Sequence, residues 1–364
     1  MTKGEKTNEK ETNFKFTGNY FTYHIRSFLA GAIDLAAEEQ HLMQRNANPY
    51  VQQYLKERGT ISDDNSLLNN TEQRAADMET LIEIYREDIG VGNILQKYLL
   101  RNRSPAPTDF IAEASSLDRK QVIDTMHRIE SIYSLATEEE QEAMFSYLLH
   151  HARACEDSQS IEFLENLKIT DPVQLAANYT YSGTAAKDYA LNWWHRFNTA
   201  QYPNMEGMGG DCTNFVSQCM KAGGIPMDSS WYCYKKNSTY LRPVNGTQLD
   251  YSWNLKKPKN PWTSLAEFTS YWQPRTPTSY YSKDYYRSNH NSIYNSSIAL
   301  GDIVVLCGGL AGAVTWGEHA MIISAYDTTN KDFKLAGHSN ARNYYPLLTI
   351  FQENGYTGVE FYQF

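Results

Sequence analysis

The stretch from Glu206 to Met220, EGMGGDCTNFVSQCM, constrains this chain more than any other segment. Its glycines predict a tight turn. Asp211 then supplies the residue type that favours a helix N-cap. Phe215, Val216, Cys219 and Met220 recur at the spacing of a buried helical stripe. Gly223, Gly224 and Pro226 end the helix. A short helix with so apolar a face must pack against something. Three apolar, strand-sized runs follow: GDIVVL at 301–306, EHAMIISAY at 318–326 and FKLAGHSN at 333–340. Helix against hairpin-connected strands predicts an α+β fold.

The chemistry follows from where the polar residues fall. Cys212 occupies the first helical turn, where free N–H groups and the positive end of the helix dipole favour a thiolate. The same N–H groups can form part of an oxyanion hole. A cysteine nucleophile needs a base, and the base needs an orienting partner. His319 opens the second strand, and His338 and Asn340 close the third. Asp211 reads as the helix cap, or alternatively as a charged neighbour of the site. Asn214, Ser217 and Gln218 either line the cleft or bond within the helix. The other four cysteines (155, 219, 233 and 307) form no CxxC pair and no even-numbered framework, so they read as structural.

These segments are similar to a known family. YSGTAAKDYALNWWHRFN, GGDCTNFVSQCMKAGGIPM, GDIVVL, HAMIISAY and AGHSNARNYYPL together resemble the "Putative amidase domain" family of the papain-like superfamily, common in Gram-positive bacteria. The likeness covers about residues 175–350. It implies a papain-like cysteine hydrolase domain, with the nucleophile helix packed on an antiparallel sheet. Carried onto this sequence, it implies Cys212 as nucleophile and His319 as base. It implies His338 as third member, with Asn340 as runner-up. Many of these relatives are exported, whereas the first twenty residues here contain no apolar leader segment. The expected location is the cytoplasm.

The rest of the chain sets the frame. At ~150 residues per domain, 364 residues predict about two domains. Residues 1–170 carry a net charge of −10 and the remainder +1, while 19 of 27 tyrosines lie after residue 170. We therefore expect a disordered tail at 1–13, a helical domain at 14–170 and the amidase-like domain at 171–364. Helices are expected over 20–44 and over 72–99, the latter broken or kinked at Gly90 and Gly92. Another starts after Ser115 or Ser116, with Asp118 in its first turn. A fourth opens on the capping box Thr137–Glu140, and a short one covers 160–168. Ser104–Pro107 and Thr170–Pro172 interrupt the pattern. His24, His41, His127, His150 and His151 lie beside no matching acid or cysteine motif and read as surface or core residues. Residues 228–297 read as a long aromatic-rich loop beside the cleft.

The overall charge of −9 disfavours nucleic acid or an anionic membrane as main partner. No run approaches the ~20 apolar residues of a membrane helix. Neither a metal motif nor a phosphate-binding loop occurs, so no cofactor is expected. Three functions fit: hydrolysis of an amide or peptide; acyl transfer from a thioester to an amine, with a carrier protein docking on the acidic helical domain; or a non-catalytic binding module.

Overall fold

The computed structural model describes residues 47–58, 68–99, 109–167, 180–257, 260–339 and 341–364. The expectations for 1–13, 20–44, Ser104–Pro107 and Thr170–Pro172, and those for His24, His41 and Asn340, lie outside the described residues.

The first half is helical. α1 spans Pro49–Arg58, α2 Leu68–Leu99, α3 Phe110–Ala114, α4 Arg119–Ile132, α5 Glu138–His151 and α6 Ser158–Asn166. Asp118 is the N-cap of α4 rather than part of its first turn, and accepts from the N–H groups of Lys120 and Gln121. The capping box at α5 is present, with Thr137 and Glu140 bonding reciprocally. α2 runs through Gly90 and Gly92 without the expected break. Packing explains Gly92: a Cβ there would lie 2.5 Å from Ile111 Cα, so the glycine lets α2 and α3 touch backbone to backbone. Gly90 faces open space. Gly92→Ala should therefore overpack this contact and cost about 1–3 kcal/mol. Gly90→Ala should be neutral or gain a few tenths of a kcal/mol to ~1 from helix propensity. Urea unfolding of both variants checks the contrast, and equal effects would refute it.

The second half is built on one six-stranded antiparallel sheet. β1 (Cys233–Lys235) and β2 (Trp253–Leu255) form a separate hairpin. β3 (Thr278–Ser282), β4 (Ile303–Leu310), β5 (Val314–Asp327), β6 (Asp332–Gly337), β7 (Arg342–Pro346) and β8 (Gly358–Tyr362) pair in the order β3-β8-β4-β5-β6-β7. Alternate side chains of these strands enter two different cores. Val305, Ala320, Ile322 and Ala336 meet α7 (Gly183–Trp193) and α8 (Cys212–Ala222) on one face. Val304, Met321, Ile323 and Leu335 meet α11 (Lys283–Tyr294) and α12 (Leu347–Glu353) on the other. Helices and sheet in separate layers make the fold α+β. The aromatic-rich stretch is not one long loop: it holds the β1–β2 hairpin, α9 (Gly246–Ser252), α10 (Leu265–Trp272), β3 and α11, and it buries Trp231, Trp253, Trp262 and Trp272.

The β4–β5 hairpin joins the two halves. Its tip residues Leu310, Ala313, Val314 and Trp316 belong to the same core as α1–α6. Two histidines fasten it. His151 Nδ1 donates to Ala313 O at 2.7 Å while its Nε2 meets Asp88 at 3.2 Å, and His150 Nδ1 donates to Thr315 O at 2.9 Å. A buried Arg153–Glu360 ion pair adds a third tie.

Candidate functional site

The site is assembled at the start of α8. Gly209 takes the left-handed conformation at φ 103°, which lets the chain turn sharply into the helix. Asp211 stands in the N-cap position, yet its carboxylate makes no cap bond to the helix. Its Oδ1 accepts from Met205 N–H at 2.7 Å and from Asn214 Nδ2 at 2.8 Å. Its Oδ2 meets His338 Nδ1 at 2.6 Å, with both side chains buried. Most other helices here are capped by a side chain, as with Asp157 on α6, Ser182 on α7 and Ser264 on α10. α8 thus begins with first-turn N–H groups that its cap residue does not occupy.

His338 is placed differently from the sequence expectation. Its Nδ1 is held by Asp211, its Nε2 meets Trp193 O at 2.8 Å, and its ring stacks on Phe215 at 4.0 Å and meets Phe197 edge-on at 4.8 Å. Both ring nitrogens are thus already engaged by oxygen atoms. No nitrogen remains to orient His319, and His338 instead fixes the start of α8. Asp211 correspondingly is a charged, buried strut rather than a helix cap. Asn214 and Gln218 do not line a cleft. Asn214 is buried between Pro203 O, Asp211 and Trp262 Nε1, and Gln218 accepts from Tyr189 OH at 2.8 Å.

Cys212 is the one cysteine of the five that is not buried. Its sulfur lies by the backbone N–H of Ala320, the residue after His319, and 3.8 Å from Thr213 Oγ1. Desolvation nevertheless pushes the thiol above its ordinary range, and the Asp211 charge adds to this, against the lowering by Ala320 and Thr213. The resting group is a thiol rather than the thiolate expected from the helix dipole. His319 is half-buried. Burial pushes it down to about 4, helped by the charges of Arg342 and His338. It is therefore a neutral imidazole at pH 7. No hydrogen bond joins it to Cys212 or to His338 among the described residues.

Three further residues belong here that the sequence reading missed. Ser339, at φ 58°, accepts the N–H of Asp211 through Oγ at 2.7 Å. Tyr356, on the loop before β8, lies within electrostatic reach of Cys212, Glu318 and Arg342, and burial pushes its phenol up. Arg342 acts on both His319 and Tyr356. Arg342 and Ser339 lie within the AGHSNARNYYPL segment that carries the resemblance, whereas Tyr356 carries no local signal. One group in the helical half has the donor types of a metal site. His127, Glu130 and Asp157 have ligand atoms within 4.8 Å of one another. They bond among themselves and to Gln159 and Ser160.

No helix among the described residues is long and apolar enough to cross a membrane. No solved structure matches the chain. The chain is similar to an uncharacterized protein, YhbB of Bacillus subtilis (strain 168), at 33% identity over 84 residues, which is 21% of this chain and 26% of that protein. The chain therefore spans about a quarter of that relative's length. The "Putative amidase domain" family matches residues 180–362, half of the chain, from just before α7 to the end of β8. With α7, the uncapped α8 and the sheet all inside that match, the chain belongs to the "Putative amidase domain" family.

Proposed function

We propose that this protein hydrolyses an amide or peptide bond through Cys212 as nucleophile and His319 as general base, in the manner of papain-like cysteine hydrolases. One observation carries the reading: the partly exposed Cys212 sits at an uncapped helix start, with its sulfur against the residue that follows a neutral histidine. His319 takes the Cys212 proton as sulfur attacks the carbonyl carbon, and returns it to the leaving amine as the C–N bond breaks. The first-turn N–H groups of α8 hold the tetrahedral oxyanion. Water then releases the acyl group from sulfur. Because thiol and imidazole are both neutral at rest, attack and proton transfer proceed together rather than from a preformed ion pair.

Iodoacetamide near neutral pH tests the nucleophile. Cys212 should label first, and labelling of Cys219 or Cys307 ahead of it would refute the assignment. Adding an amine during turnover separates the acyl-transfer reading, in which amide product exceeds free acid at modest amine concentrations. A protein with no labelled thiol and no turnover would instead fit a binding module.

The base is tested by pH. The acid limb of kcat/KM should have its midpoint near about 4 rather than at the ordinary ~6.5 of histidine. The sign for stability follows. The unfolded chain binds this proton between about pH 6.5 and 4 while the folded protein resists it. That contribution to stability is present above the ordinary value and lost as pH falls toward the folded one. A midpoint of 6–7 with intact circular dichroism would remove His319 from this role.

A further inference from the structure

Arg342 pairs with Gly337 on β6, and a Cβ on Gly337 would lie 3.2 Å from Met321 Cγ on β5. Met321, Gly337 and Arg342 thus form one row across three strands. His319 lies two residues before Met321 and so on the same, α11/α12-facing side of β5, while the Cys212 sulfur reaches this strand at its backbone, by the Ala320 N–H. With no side chain at Gly337, the buried Met321 side chain lies over the glycine and packs between β5 and the β7 position of Arg342. The arginine is half-buried, and its guanidinium carbon stands 4.0 Å from the centre of the Tyr345 ring. That stacking orients the fork while leaving its N–H edge available.

No carboxylate among the described residues pairs with it. The acids around the candidate site are engaged elsewhere: Asp211 with His338, and Glu318 with Arg58 at 3.8 Å. The fold therefore keeps an uncompensated cation beside its candidate base. A half-buried guanidinium stacked on an aromatic face, with no carboxylate partner among the described residues, is suited to a planar carboxylate, which it binds bidentately.

We propose that Arg342, held on Tyr345 at the β7 side of the cleft, receives a carboxylate of the substrate, so that the substrate is an amide carrying a free carboxylate next to the scissile bond. The proposal rests on the reading of Cys212 and His319 as the catalytic pair.

The test uses the full chain and needs no known substrate. Iodoacetamide alkylation of Cys212 is timed in the presence of N-acetyl-Ala-Ala or of its C-terminal carboxamide, each rate normalised to the same protein without probe. The acid should protect at about tenfold lower concentration than the carboxamide, the worth of a charge-assisted bidentate pair. Arg342→Gln should bring the two protection curves together, and Arg342→Lys should restore part of the difference. Equal protection by both probes in the wild type, no protection by either, or a preference that survives Arg342→Gln overturns the proposal. Failure of the underlying reading shows itself separately, as alkylation of a different cysteine or as turnover by Cys212→Ala.

Discussion

Cys212→Ala should lose turnover by about four orders of magnitude or more, because on the proposed mechanism it removes the sulfur that takes up the acyl group. The fold should survive. The side chain's polar neighbours are Thr213 Oγ1 at 3.8 Å and the Ala320 N–H, and alanine is a good helix former in the first turn of α8. The measurement pairs amide hydrolysis with thermal unfolding. Activity within tenfold of wild type, with an unchanged melting temperature, would exclude Cys212 as nucleophile. Intact mass spectrometry adds a positive sign, since a slow substrate should leave its acyl group on the wild type and not on the variant.

The second large effect concerns Asp211. Its carboxylate holds His338, the Met205 N–H and the Asn214 amide at once, inside a site with almost no water access. Asp211→Ala should cost about 3–5 kcal/mol, because it leaves a buried donor set without its acceptor. His338→Ala should cost a similar amount and also forfeits packing on Phe215 and Phe197. A double-mutant cycle should show strong coupling, the double variant losing much less than the sum of the singles. Additive losses in urea unfolding would mean that the pair does not act as a unit. Asp211→Asn is informative beside these, since it retains an acceptor for Met205 but removes the charge facing the imidazole.

Much of the fold was legible because local rules and packing agree. The stop and start of α8, the capping box at Thr137 and the strands around Val304, Ile322 and Leu335 all carry periodic or capping signals. Gly90 and Gly92 misled because propensity cannot show that Ile111 presses against the second glycine. The stretch 228–297 misled because its helices are short and its buried anchors are tryptophans scattered among polar residues. In the candidate site, Cys212 stands at the helix start that its sequence context indicates, whereas His319 lies inside β5 rather than at its opening, because the strand begins at Val314. The partner of His338 was not legible, because Asp211 looks locally like an ordinary cap. Only the return of the chain at Gly337 brings the imidazole to it. Tyr356 comes within electrostatic reach of Cys212 although it stands 144 positions further along the chain.

The hairpin tip at 310–316 has a consequence for how such a chain can be rearranged. Leu310, Val314 and Trp316 lie at the tip of strands inside the amidase-family domain, yet they are buried in one core with α1–α6. Cutting the chain at residue 180 would expose that apolar tip and leave the acceptors of His150 and His151 bare. The two halves therefore cannot be exchanged like separable cassettes. A homologue lacking the helices would need polar residues at the tip, or a shorter hairpin, before its sheet could stand alone.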